Sequence, residues 1–156
     1  MPPAVEVREV VQTDVPAVVD LVTRVLTEFG LTFGVGATTD DHLYHLPGSY
    51  TEGGGAFWVA FVDGALAGTC GVFPIDSETY EVRKMYLWPR TRGLGIGKRL
   101  LDLSVEFTRA HGGTRLVLDT VEQMTSAIRF YEANAFVRDD AQKRGPRCSR
   151  GYRREL

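Results

Sequence analysis

The 156-residue sequence predicts a mixed α/β (α+β) sheet folded as one domain spanning residues 1–156. Three observations carry that reading. Apolar residues alternate or recur at helical spacing in the order strand, helix, hairpin, strand, helix, strand, helix, strand, which is the signature of a sheet with helices packed on it. Asp63-Gly64 joins two apolar runs, a strong short-range hairpin signal. The length buries one core comfortably and two poorly.

Each element has its own local cause. Val5 to Val11 alternates well enough for a first strand. Thr13-Asp14 then offers an N-cap, with Pro16 tolerated in the first turn that follows. Val15, Val18, Val19, Val22, Val25, Leu26 and Phe29 form one apolar helical face, and Gly30 ends the helix. Residues 31–55, rich in glycine and holding Asp40, Asp41, His42, Tyr44 and His45, predict a long connection with one short helix near 40–46. Connections of that length in a compact domain are often functional. Phe57–Val62 and Leu66–Phe73 are the hairpin strands. Tyr80–Trp88 is a third, partly polar strand closed by Pro89. Ile96, Leu100, Leu103 and Phe107 give a helix ending near Gly112-Gly113, Leu116–Leu118 a short buried strand, and residues 124–133 a further helix. Phe136 to Leu156 predicts two closing strands around a Gly145-Pro146 turn.

Composition bounds the function. Hydrophobic residues at 44% and charged residues at 24% fit a globular, soluble protein. A net charge of −2 argues against a general nucleic-acid binder. Basic residues do gather after Arg138 (Lys143, Arg144, Arg147, Arg150, Arg153, Arg154), and three uses fit them: a solvated edge, a nucleic-acid arm, or attraction of a polyanionic cofactor. Cys70 and Cys148 show no metal-ligand spacing, so neither a metal site nor a disulfide framework is expected. With no apolar run near 18 residues and no leader-like start, no membrane is expected and the cytoplasm is the default location.

The segment richest in chemistry is Arg92-Gly93-Leu94-Gly95-Ile96-Gly97-Lys98, between a strand and a helix. Alternate glycines let backbone N–H groups approach a ligand, and the helix N-terminus adds a positive dipole end. Flanking Arg92 and Lys98 add charge, so the turn predicts an anion site. It is not a dinucleotide fingerprint, because Gly97 falls one position early and Lys98 stands where the third glycine belongs. Nor is it a P-loop, since Arg99 follows Gly97-Lys98 and Arg92 replaces the first glycine.

Arg92-x-x-Gly95-x-Gly97 resembles the pyrophosphate-binding motif of the GNAT N-acetyltransferase superfamily. Glu81-Val82-Arg83-Lys84-Met85-Tyr86-Leu87-Trp88-Pro89 is similar to that family's fourth strand, and Phe130-Tyr131-Glu132-Ala133-Asn134-Ala135-Phe136 to its later aromatic segment. The resemblance runs along most of the chain. It implies a central twisted, mostly antiparallel sheet flanked by helices, with acetyl-CoA as cosubstrate and no metal.

Residue by residue, the resemblance implies that Arg92, Gly93, Leu94, Gly95, Ile96, Gly97 and Lys98 hold the pyrophosphate. Met85 and Leu87 would offer backbone groups to the pantetheine and thioester, with the Leu87 N–H facing the thioester carbonyl. Tyr131 matches the tyrosine that protonates the departing thiolate, and Glu81 the glutamate that deprotonates the amine, often through water. His42 and His45 are further titratable candidates, and Asp40, Asp41 and Glu52 read first as solvated loop charges, with attraction of a cationic amine as the alternative. Two departures stand out. Met124 occupies a position where the family often has Asn, leaving Thr125 or Ser126 to substitute, and Ala135 replaces a glycine, which asks for a less glycine-dependent turn. The implied reaction is direct acetyl transfer to a primary amine in a ternary complex, since no cysteine or serine stands where a covalent intermediate would need one. The expected partner is a small molecule, with no nucleic acid and with a homodimer as an allowed assembly. A protein or peptide acetyltransferase and a non-catalytic acyl-CoA sensor are the competing readings.

Overall fold

The computed structural model describes residues 2–156 and shows one seven-stranded sheet. The strands are β1 (Val5–Glu9), β2 (Ala56–Val62), β3 (Ala65–Pro74), β4 (Thr79–Leu87), β5 (Arg115–Thr120), β6 (Val137–Arg138) and β7 (Arg150–Glu155). They lie in the order β1-β2-β3-β4-β5-β7-β6. Only β4 and β5 pair in parallel; every other neighbouring pair is antiparallel. The helices are α1 (Val15–Glu28), the single turn α2 (Gly48–Thr51), α3 (Ile96–Ala110) and α4 (Thr125–Ala133). The expected mixed sheet flanked by helices is therefore present.

Alternation along the strands splits the core into two layers. On β2, Ala56, Trp58 and Ala60 face one side and Phe57 and Val59 the other. The first layer is covered by Ile96, Leu100, Leu101 and Val105 of α3 with Ile128 and Tyr131 of α4. The second is covered by Val18, Leu21, Val22, Val25 and Leu26 of α1, with Leu43, Leu46 and Tyr50 from the long connection. Each such aliphatic side chain, moved out of water, contributes about 2 kcal/mol before entropy is charged against it.

Local signals behaved as their chemistry dictates. Asp63 and Gly64 sit at φ 49° and 83°, the left-handed pair of a primed hairpin turn. Asp14 precedes α1, but its carboxylate accepts from Val11 N–H and both terminal nitrogens of Arg8 instead of capping the helix. The long connection holds a 3-10 segment at Thr38–His45, close to the expected short helix, followed by α2.

The two closing strands are present and pair antiparallel on either side of Gly145-Pro146, but the connection is longer than a turn: β6 is two residues long, and residues 139–149 form a loop with a 3-10 turn at Asp140–Gln142. The cause is Asp119 at the end of β5, whose carboxylate accepts the N–H groups of Arg144 and Gly145 and draws the loop toward the sheet. Ala135 does not relax the turn it occupies. It keeps φ 70°, a left-handed conformation that its Cβ makes costly.

Candidate active site

The site begins where the sheet opens. The parallel pairing of β4 with β5 covers three residue pairs, Thr79↔Arg115 to Glu81↔Val117, and then stops. Val82–Leu87 keep β3 on one edge and have no strand on the other. Within that stretch β4 carries one extra residue: Thr69↔Tyr86 is followed by Gly71↔Arg83, so two steps on β3 face three on β4. Lys84 takes up the surplus at φ 54°, and the Thr69 hydroxyl donates to its carbonyl at 2.7 Å. A bulge of this kind turns backbone groups out of the ladder and toward the open edge.

Two cavities flank that edge. One, of about 250 Å³, is lined by Val25, Phe29, Met85, Leu87, Gly93, Gly97, Ser126 and Phe130, among others. The other, of about 210 Å³, is lined by Thr38 and Thr39 of the long connection, Glu81, Arg83 and Lys84 of β4, and Arg144 to Cys148. Met85, Tyr86, Met124, Ala127 and Tyr131 belong to both, so the cavities meet at the gap between β4 and α4.

The glycine turn borders the first cavity. Gly93 and Gly95 have φ 90° and 78°, and a Cβ on either would meet nothing within 4 Å. The space over the turn is open, and glycine is required there by backbone conformation. Gly95 is the N-cap of α3, which has no side-chain cap, leaving the first-turn N–H groups of Ile96, Gly97 and Lys98 free for an anion. Leu94 is exposed at the tip and Ile96 is buried in the core. The flanking cations are placed less simply. Arg92 binds Glu28 through both terminal nitrogens at 2.9 Å and donates to the Leu87 carbonyl, bracing the end of β4 against α1. Lys98 pairs with Asp102 at 2.6 Å on the exposed face of α3. The free N–H groups and the open turn fit a pyrophosphate; the two side chains are engaged elsewhere. Ser126, and not Thr125, is the hydroxyl that lines this cavity near Met124.

Tyr131 stands at the junction. Burial, with the neighbouring Cys70 and Tyr86, pushes its phenol far above the ordinary value, so it stays protonated across the working range. Glu81 is the last residue of the parallel ladder and is buried. Its Oε1 accepts from Arg83 Nε, Arg144 Nε lies 3.4 Å from Oε2, and Oε2 has no hydrogen-bond partner.

Other candidates fall in different places. Asp40 is fully buried and accepts from Gly34 N–H, from Lys84 Nζ and from both terminal nitrogens of Arg147. It is therefore neither the solvated loop charge that the sequence suggests first nor free to greet a cationic amine. Burial raises its pKa, but the Arg147 hydrogen bonds and the Lys84 charge outweigh that and hold the carboxyl below its ordinary range. His42 and His45 line neither cavity. The basic C-terminal stretch is not at the glycine turn: Arg144 and Arg147 face the second cavity, while Arg138, Arg150 and Arg153 pair with Asp140, Glu122 and Asp139. Cys70 is core, bonded to Ser104, with its thiol pushed up to about 12 by burial. Cys148 does reach the second cavity, which its sequence position did not suggest. Burial, then Asp119, pushes its thiol up to about 12, so it is a thiol and not a thiolate nucleophile.

Comparison with known proteins agrees with this geometry. Residues 22–136 match the model of the Acetyltransferase (GNAT) family. The chain is 34% identical over 133 residues to an uncharacterized N-acetyltransferase, YjgM, of Escherichia coli, covering 83% of this chain and 80% of that one. Among solved structures, a GNAT-family acetyltransferase of Staphylococcus aureus superposes with TM-score 0.90 at 24% identity, over 98% of this chain and 99% of that one. The PaiA N-acetyltransferase of Thermoplasma acidophilum, solved with coenzyme A, superposes with TM-score 0.79 at 19% identity, over 98% and 99%. The chain accordingly belongs to the Acetyltransferase (GNAT) family and is an acetyl-CoA-dependent N-acetyltransferase.

Proposed function

We propose that the protein moves the acetyl group of acetyl-CoA directly to the primary amine of a small molecule, with both substrates bound at once. The observation that carries this is the pair of cavities meeting at Met85 and Tyr131, one lined by the glycine turn and the other by titratable side chains. Two substrates, one in each cavity, would bring their reacting atoms together at that junction. A space of about 210 Å³ suits a small acceptor better than a folded protein surface.

Acetyl-CoA supplies the activated thioester; the chain supplies position and proton traffic. The backbone from Gly93 to Lys98 holds the pyrophosphate, and the open edge of β4 at Met85 and Leu87 offers N–H and C=O groups to the arm and the thioester carbonyl. Tyr131 holds the proton needed at the departing sulfur. Glu81 lies four residues before Met85, at most about 13 Å along the chain and less for the bulge at Lys84, so it serves as the end of a water relay that takes the proton from the amine. Its unpartnered Oε2 is the acceptor such a relay needs. The free thiols of Cys70 and Cys148 suit a reducing compartment, the cytoplasm by this reading.

Thiol release from acetyl-CoA, measured across amino acids, polyamines, aminoglycosides and peptides, tests the proposal. Turnover on small amines with intersecting double-reciprocal lines is expected. Parallel lines, or release with peptides alone, would refute it.

A further inference from the structure

The second cavity has more positive charge than its carboxylates balance. Its walls carry Arg83, Lys84, Arg144 and Arg147 against Glu81 and Asp119, with Asp40 directly behind. The pairing is two cations to one carboxylate in both clusters: Lys84 and Arg147 share Asp40, and Arg83 and Arg144 share Glu81. Asp119 uses Oδ2 to accept the backbone N–H groups of Arg144 and Gly145. Four cations against three carboxylates leave one positive charge over. Two of these cations also reach His42, whose pKa is lowered first by burial and then by the charges of Arg83 and Lys84.

Of the four cations, Arg144 is the most exposed and the one whose guanidinium neither fills a buried ion pair nor stacks on a ring. Arg147 gives both terminal nitrogens to Asp40, and Lys84 gives its ammonium to the same carboxylate. Arg83 bonds Glu81 and lies over the Phe73 ring. Arg144 touches Glu81 only through Nε at 3.4 Å, and its side chain is 36% exposed. Its backbone is pinned by Asp119 at 2.7 Å, so the guanidinium is held at the cavity wall with its planar fork open. That fork matches a carboxylate in a bidentate fashion. One surplus charge and a cavity of about 210 Å³ favour a small monoanion over a phosphate dianion.

Resting on the N-acetyltransferase reading above, we infer that the acceptor carries a carboxylate beside its amine, an amino acid in the broad sense, and that Arg144 binds that carboxylate. A second anchor orients the amine toward the junction at Tyr131, which a lone amine in this cavity would lack.

Thiol release is measured for matched acceptors that differ only in the carboxylate: phenylalanine and phenethylamine, methionine and 3-(methylthio)propylamine, 4-aminobutyrate and propylamine. The amino acid of at least one pair should exceed its partner in kcat/KM by about 10- to 100-fold, the range of one charge-assisted hydrogen-bonded contact. Arg144→Gln should collapse that ratio toward one through KM, and Arg144→Lys should restore part of it. Both members of a pair meet the same Glu81 and Tyr131, so damage to those groups, or to folding, cancels in the ratio. Equal or faster turnover of the decarboxylated amines leaves the acetyltransferase reading standing and overturns the carboxylate. If no acceptor releases thiol, the amine acetylation reading fails separately. Calorimetric binding of the same pairs to the CoA-loaded protein then decides: a preference for the acid that Arg144→Gln abolishes upholds the inference, and equal binding overturns it.

Discussion

At the scale of single residues, the roles proposed for Tyr131 and Gly95 divide chemistry from binding. The Tyr131 ring is buried at the meeting point of two cavities, and its phenol is kept protonated by that burial. Tyr131→Phe should lower kcat by about 10²-fold, the scale of one general acid, with the acetyl-CoA Kd nearly unchanged; steady-state turnover beside calorimetric binding checks both halves. Gly95 sits at φ 78° over open space. Gly95→Glu forces a side chain into a left-handed position and sets a negative charge on the anion seat, so acetyl-CoA binding should be lost, and retained affinity would displace the pyrophosphate from this turn. Ala135 is the converse case, a Cβ held at φ 70° where glycine would be at ease. Ala135→Gly relieves about 1–2 kcal/mol of backbone strain against roughly 0.4–1 kcal/mol of added chain entropy in the unfolded state. The thermal midpoint should rise by a few degrees at most, and a fall would mean that the left-handed turn is not strained.

Among the elements, β4 is the one that lines both cavities, and it is fastened from outside. Asp40, from the 3-10 segment of the long connection, binds Lys84 at the bulge and Arg147 in the C-terminal loop, tying three distant stretches together. The Asp40 pKa is lower in the fold than in the unfolded chain. Its contribution is therefore fully present above the unfolded carboxylate value of about 3.9 and fades as pH falls through the lower folded value. Urea midpoints from pH 7 down to pH 2 should drop in that acid range for the native chain. Asp40→Asn should start about 3 kcal/mol lower, because two buried cations lose their counterion, and should show a flatter acid limb. This lock also explains what the sequence could disclose. Hairpin, helices and central strands were legible because their causes are local: the Asp63-Gly64 pair, the apolar stripe of α1, the glycines before α3. Asp40 and Lys84 are 44 residues apart, and Arg147 lies 107 from Asp40. Nothing in local spacing reports such a contact, so Asp40 read as a loop carboxylate and Arg147 as part of a basic tail. Glu81 and Tyr131 stood out as candidates only because the family resemblance carries them in motifs, whereas the glycine turn read as an anion site from its own spacing. Arg144 and Cys148 lie in no motif, and only the hold of Asp119 on the returning loop brings them to the cavity.

For the molecule as a whole, the sheet and the binding site are the same object. The ladder between β4 and β5 ends at Glu81 and Val117, and beyond it the two central strands have no hydrogen bonds to one another. A protein divided in this way lacks the hydrogen bonds that an unbroken sheet would have at its centre. A cosubstrate arm seated along Val82–Leu87 would act as a guest strand, so native stability should rise with acetyl-CoA as RT ln(1 + [L]/Kd), about 2.7 kcal/mol at a hundredfold excess over Kd. Thermal midpoints measured across an acetyl-CoA titration should climb accordingly, and backbone amides on β4 should become slower to exchange with solvent. On the proposed seating, the open seam would make the enzyme a reader of its own fuel: with acetyl-CoA plentiful the fold should be closed and durable, and where it runs short the same gap should expose the chain to proteolysis, coupling the lifetime of the catalyst to the supply of what it consumes.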